Sequence, residues 1–106
     1  MVRNLAQPPE TLVKLDAGGK ILKTTLDNLT KVKGSKLAKM FEGIDKLPRT
    51  EEGAVFIDRD DVAFGDLIKQ LRNLPKKTLL TDKDRLRDFE EELAFWNIDI
   101  DSQITI

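Results

Sequence analysis

The chain has 106 residues, with 18 basic and 19 acidic side chains, a net charge of −1, and neither cysteine nor histidine. The two missing residue types remove disulfides, the usual zinc ligands and the Ser–His and Cys–His nucleophile pairs. The balance of charge argues against a general nucleic-acid binder, and no apolar run approaches the roughly 20 residues that span a bilayer.

With an apolar fraction of 40% and a charged fraction of 35%, one domain with a real core and a densely charged surface is expected. No signal peptide is apparent, so a cytoplasmic setting is the expectation. Residues 1–10 end in Pro8-Pro9 without periodicity and read as a flexible leader. Thr11 to Asp16 alternates enough for a strand, with Val13 and Leu15 on one face. Ala17-Gly18-Gly19-Lys20 reads as a tight turn, because glycine tolerates the positive φ of such hairpins. Ile21 to Thr25 returns as the partner strand, and Leu26 and Leu29 suggest a short helical turn. A phosphate loop fails here: its template needs glycine where Lys14 stands and Ser or Thr where Ile21 stands.

Ser35 is a good N-cap for a helix over 36–41, with Leu37, Met40 and Phe41 on one face and Gly43 as its stop. Lys31, Lys33, Lys36 and Lys39 are the most basic stretch and read as a solvated surface, since no aromatic side chains interleave with them. Residues 44–53 read as a loop. Ala54-Val55-Phe56-Ile57 reads as a buried strand. A charged corner follows at Asp58, Arg59 and Asp60, then a helix whose stripe is Phe64, Leu67, Ile68 and Leu71. Asp60 or Asp61 caps that helix.

Pro75 closes this region, and residues 76–80 read as a connector. Thr81 and Asp84 resemble a capping box for a last helix over 83–96, with Leu86, Phe89, Leu93 and Trp96 on one stripe and Phe95 off it, placed to pack a neighbouring element or a partner. Glu90, Glu91 and Glu92 point in different directions around that helix, so they cannot converge on a metal and read as a solvated or salt-bridged edge. Residues 100–106 form an exit segment with a short strand expected at 104–106. No nucleophile–base pair is identifiable, and the acidic residues sit at helix starts and solvent faces, so a non-enzymatic binding role without cofactor is expected. A small carboxylate enzyme is the competing class.

Four blocks carry a family resemblance: VKLDAGGKILKTTLDNLT (13–30), GSKLAKMF (34–41), AVFIDRD with its following helix (54–73) and FEEELAFWNID (89–99). In this order they resemble the potassium-channel tetramerisation type of BTB/POZ domain, over about residues 11–99. The resemblance implies an α+β, BTB/POZ-like fold: a small, mainly three-stranded sheet packed with four to five helices. It also implies self-association as a ring, a homo-tetramer or a pentamer, in channel-subunit assembly or in an adaptor. A cullin ubiquitin ligase or channel subunits are the further partners it brings; a monomer that recruits other proteins is the remaining alternative. Carried over to this sequence, Lys23, Thr24, Asp58, Arg59 and Asp60 are the expected subunit-interface residues, with Glu90, Glu91 and Glu92 behind them. Arg59 either reaches a neighbour or bridges to carboxylates of its own subunit. On the first reading, Arg59→Glu breaks the ring and leaves the monomer folded. The chain departs from the zinc-binding Shaw-like branch, whose histidine and cysteines it lacks, and Asp61 stands where many relatives carry proline or glycine. FEEELAFW leans toward the channel domains, whereas GSKLAKMF and FIDRD are closer to the soluble adaptors.

Overall fold

Strands β1 (Leu12–Ala17) and β2 (Lys20–Thr25) form an antiparallel hairpin with Ala17 opposite Lys20. In the computed structural model, which describes residues 7–104, Gly18 and Gly19 hold φ of 56° and 98°. A two-residue hairpin needs this left-handed geometry, and side chains with a Cβ resist it. The tip is also crowded: a Cβ on Gly18 would stand 2.8 Å from the Arg59 carbonyl oxygen, and the Gly18 amide donates to Ile57 O at 3.1 Å.

Strand β3 (Val55–Ile57) lies parallel to β1, with Leu15 beside Val55 and Ala17 beside Ile57, so the sheet order is β2-β1-β3. Among the described residues, only one face of this mixed sheet is covered. Val13, Leu15, Ala17, Val55 and Ile57 turn inward and are buried. The run at 54–57 is therefore not wholly buried: Phe56 is 52% exposed, because the period of two sends the middle residue of a three-residue strand to the uncovered face.

Among the described residues, four helices close the inner side: α1 (Leu26–Leu29), α2 (Lys36–Glu42), α3 (Asp61–Asn73) and α4 (Lys83–Phe95). The result is an α+β fold. Its core joins the inward strand residues to Leu37 and Phe41 of α2, Phe64, Leu67, Ile68 and Leu71 of α3, and Phe89, Leu93 and Trp96 at α4. Each helix start is capped by a side chain: Thr25 accepts from Asn28 N, Ser35 from Ala38 N, Asp60 from Ala63 N and Asp82 from Arg85 N. The α4 cap is thus Asp82 rather than Thr81, one residue later than the Thr81/Asp84 pattern suggests. A carboxylate is the stronger acceptor for free helix amides.

The connectors are tied down by polar contacts. Buried Gln70 donates to Lys76 O at 2.8 Å and accepts from Thr78 N at 2.7 Å, which folds residues 76–78 back onto α3. Thr11 N donates to Pro8 O, Asp27 N donates to Pro9 O, and the Gln7 amide bonds Asp45. Ile98 and Ile100 are buried beyond α4 and a 3-10 turn spans Asp101–Gln103. Ile104 lies in no strand; the rest of the strand expected at 104–106, and residues 1–6 of the leader, lie outside the described residues.

Candidate interaction surface

The corner between β3 and α3 is rigid because its central side chain is locked into the fold. Arg59 Nε donates at 3.2 Å to each oxygen of Glu92, and its Nη2 donates to Oε1 at 2.9 Å. The Glu92 side chain is 2% exposed and that of Arg59 is 30% exposed. The indole Nε1 of Trp96, one turn along α4, donates to Glu92 Oε2 at 2.8 Å. A charged pair at this depth holds only when its remaining lone pairs are satisfied, and the indole supplies the third donor. The hydrogen bonds to Glu92 raise the Arg59 pKa above the ordinary guanidinium value; burial opposes this, and the charges of Glu92, Asp58 and Glu91 add to it.

Phe95 completes the lock. Its ring stands edge-on to Trp96 with centroids 4.9 Å apart. The Arg59 guanidinium carbon is 3.8 Å from the ring centroid and Lys36 Nζ is 3.9 Å from it. Cations over an aromatic face are held by the ring quadrupole. A second clamp fixes the start of α4: Arg85 Nε and Nη2 donate to the two oxygens of buried Asp66 on α3, at 2.8 and 2.7 Å. That bond is the main cause of the raised Arg85 pKa.

These contacts sort the expected interface residues. Asp58, Arg59, Asp60, Glu91 and Glu92 gather at one corner. Arg59 bridges within its own subunit, and Glu92 is salt-bridged, one of the two readings of the glutamate block, but in the interior rather than at a solvated edge. Arg59→Glu would set two carboxylates together beside a buried site, so a folded monomer is not its expected outcome. Asp58, Asp60, Glu90 and Glu91 remain exposed. Lys23 and Thr24 lie on β2, at the opposite edge of the sheet from β3. Lys23 is exposed and its carbonyl accepts from Arg72 Nη2 at 2.6 Å. Thr24 is 5% exposed and its hydroxyl accepts from Asn28 Nδ2 at 3.1 Å. Phe95 packs neighbouring elements, as its place off the stripe suggests, but the two cations over its ring, the Asp66–Arg85 clamp and the exposure of Phe56 were not anticipated. For the clamp a signal existed, since Asp66 lies within a helix turn of Phe64, Leu67 and Ile68.

A family model for the BTB/POZ domain matches residues 13–104, nearly the whole chain. The chain belongs to the BTB/POZ family, in its potassium-channel tetramerisation type. This BTB/POZ domain is 36% identical over 90 residues to the Potassium channel regulatory protein of Bos taurus, covering 84% of this chain and 33% of that protein. It is 35% identical over 88 residues to the human BTB/POZ domain-containing protein KCTD17, covering 81% of this chain and 27% of the relative. Over 62 residues it is 44% identical to human BTB/POZ domain-containing protein KCTD14, covering 58% and 24%. The chain therefore spans a quarter to a third of the length of these relatives. Family membership makes it a protein-interaction and oligomerisation module. Among the described residues, no helix is long and apolar enough to cross a membrane.

Proposed function

We propose that this BTB/POZ domain assembles with copies of itself into a closed ring of four or five. The observation that carries the reading is the placement of fixed charge. Asp58 and Asp60 stand exposed on a corner held rigid by Arg59 and Glu92, while Lys23 stands exposed on the far edge of the sheet. Unlike charges on opposite edges of one rigid body suit a rotated copy, and such pairs set orientation and register more than affinity. Lys23, Asp58, Asp60, Glu90 and Glu91 are the proposed contacts; Arg59, Glu92 and Thr24 hold them in place from inside. The relative named Potassium channel regulatory protein supports a role connected with potassium channels, for which assembly of channel subunits is the form that self-association would take.

A second reading is an adaptor that receives a different protein, such as a cullin ubiquitin ligase. It is favoured by a groove of about 260 Å³ beside β3, lined by Met40, Leu47, Pro48, Val55 and Phe56. Light scattering at several concentrations and two salt levels separates the readings. A mass of four or five chains that loosens in high salt is expected. A single-chain mass throughout would leave only the adaptor reading.

A further inference from the structure

Among the described residues nothing covers the outward face of the sheet, and that face has a distinct chemistry. The strand register sets Ile21, Asp16 and Phe56 in one row across β2, β1 and β3, with Lys14 opposite Lys23 two residues along. The period of two puts both rows on the same side. Ile21 is 48% exposed, Phe56 52% and Leu12, farther along β1, 76%. Asp16 is engaged with the Gly19 amide at 2.8 Å. The Lys23 ammonium has no ion-pair or hydrogen-bond partner among the described residues. Lys14 Nζ donates to the neutral Glu52 carbonyl at 3.1 Å and keeps its charge unpaired. The face is thus apolar and basic, and a bare apolar patch rimmed by charge marks a contact site.

The same chain carries the complement. Along α4 and the segment after it runs a groove of about 280 Å³ lined by Leu86, Phe89, Leu93 and Ile98, with Glu90 and Asp99 beside them. Lys77 is also present but is paired with Asp101 at 3.7 Å, so the groove's unpaired charge is acidic. That volume falls just short of the roughly 300–1,000 Å³ typical of small-molecule sites, and it suits one or two side chains. Glu90 and Asp99 are exposed, and neither carboxylate has a partner among the described residues.

We propose that the outward sheet face of one copy docks into the α4 groove of a second copy. Phe56 enters the apolar floor, and Lys14 and Lys23 meet Glu90 and Asp99. The occupant is a second copy because both halves, apolar in common and opposite in charge, occur on one chain. This rests on the self-association reading and narrows its contact: Glu90 and Asp99, rather than Asp58 and Asp60, are the carboxylates set against Lys23. The two patches differ, so the contact is head-to-tail: each copy offers one patch of each kind, and the series ends only by closing into a ring.

Two variants and their mixture test the contact. Phe56→Glu disables the sheet face and leaves the groove intact; Glu90→Lys with Asp99→Lys disables the groove and leaves the sheet face intact. All three positions face solvent, and circular dichroism checks the fold of each. Each variant alone should run as a single chain, with at least a tenfold weaker association than the wild type. An equimolar mixture should form a heterodimer, joined by the one contact that remains whole. If either variant proves unfolded, Lys14→Glu with Lys23→Glu or Leu86→Glu replaces it on the same side. Oligomers of unchanged mass from both variants would overturn this contact and leave self-association standing. Two monomers whose mixture stays monomeric would also overturn it. A monomeric wild type would remove the self-association reading and this contact with it.

Discussion

Replacing Arg59 by alanine tests whether the corner is held by a satisfied buried charge. The change leaves Glu92, 2% exposed, with the Trp96 indole as its remaining donor. Removing one partner of a buried pair costs about 3–5 kcal/mol. The Arg59 side chain is 30% exposed, so water can reach the vacated side, and the lower end, about 3 kcal/mol, is expected. At about 4–8 °C per kcal/mol for a chain of this size, the thermal midpoint should fall by about 12–24 °C. Urea unfolding followed by the fluorescence of the single tryptophan, Trp96, reads the site directly. Measurement at two protein concentrations separates this loss from any contribution of association. A companion variant, Arg59→Met with Glu92→Gln, keeps an acceptor for the indole and removes both charges. It should regain more than half of the loss, since a neutral pair of similar volume has no stranded charge. A loss below about 1 kcal/mol in Arg59→Ala, as for an ordinary surface ion pair, would refute the reasoning.

Other expectations follow from single contacts. Gly18→Ala should destabilise more than Gly19→Ala in urea unfolding: both residues hold positive φ, but only at Gly18 would the new Cβ meet backbone, at 2.8 Å. Equal losses would show that the approach to Arg59 O is readily relaxed. Gln70→Leu strands Lys76 O and Thr78 N and should cost about 2–3 kcal/mol, with amide exchange of Thr78 accelerated. Asp82→Ala should cost about 1 kcal/mol as a lost cap, whereas Thr81→Ala should be neutral. The Arg59 pKa is raised, so its stabilising contribution is complete below the unfolded guanidinium value and is lost only as pH climbs through the higher folded one. The gap in thermal midpoint between wild type and Arg59→Ala should therefore not change through deprotonation of Arg59 between roughly pH 6 and pH 9.

The strand–corner–helix unit, the Gly18-Gly19 hairpin and two of the four caps, Ser35 and Asp60, were legible because each is a local device whose parts lie within a few residues. The fold class was legible for the same reason, and through four ordered blocks that resemble one family. The interior of the corner was not, since Arg59 and Glu92 are 33 positions apart and nothing local joins them. One clue was present. Phe89, Glu92, Leu93 and Trp96 fall at i, i+3, i+4 and i+7, so the middle of the apolar stripe contains a carboxylate. A charge in that position must be paired or neutralised, and Arg59 was the cation already set on a rigid corner. That helical geometry separates the three glutamates is plain from the sequence; what was not drawn from it is that it sets Glu92 alone on the buried stripe. Phe56 was misplaced for a related reason: a run of four apolar residues reads as buried on both sides, yet this sheet has helices on only one.

The two arginine clamps run in opposite senses, and this decides which substitutions report on assembly. At its start α4 supplies the cation, Arg85, to a buried carboxylate on α3; near its end it supplies the buried carboxylate, Glu92, to a cation on the corner. The helix is thereby fixed at both ends, and with it the groove that contains Leu86, Glu90 and Leu93. Any change at Arg59 or Glu92 must therefore shift the groove and weaken the fold together, so loss of assembly in such variants says nothing about who touches whom. Lys23, Phe56 and Glu90 stand outside both clamps. A substitution there that changes mass without changing the unfolding midpoint of the isolated chain acts through contact alone, and only that pattern identifies an interface residue.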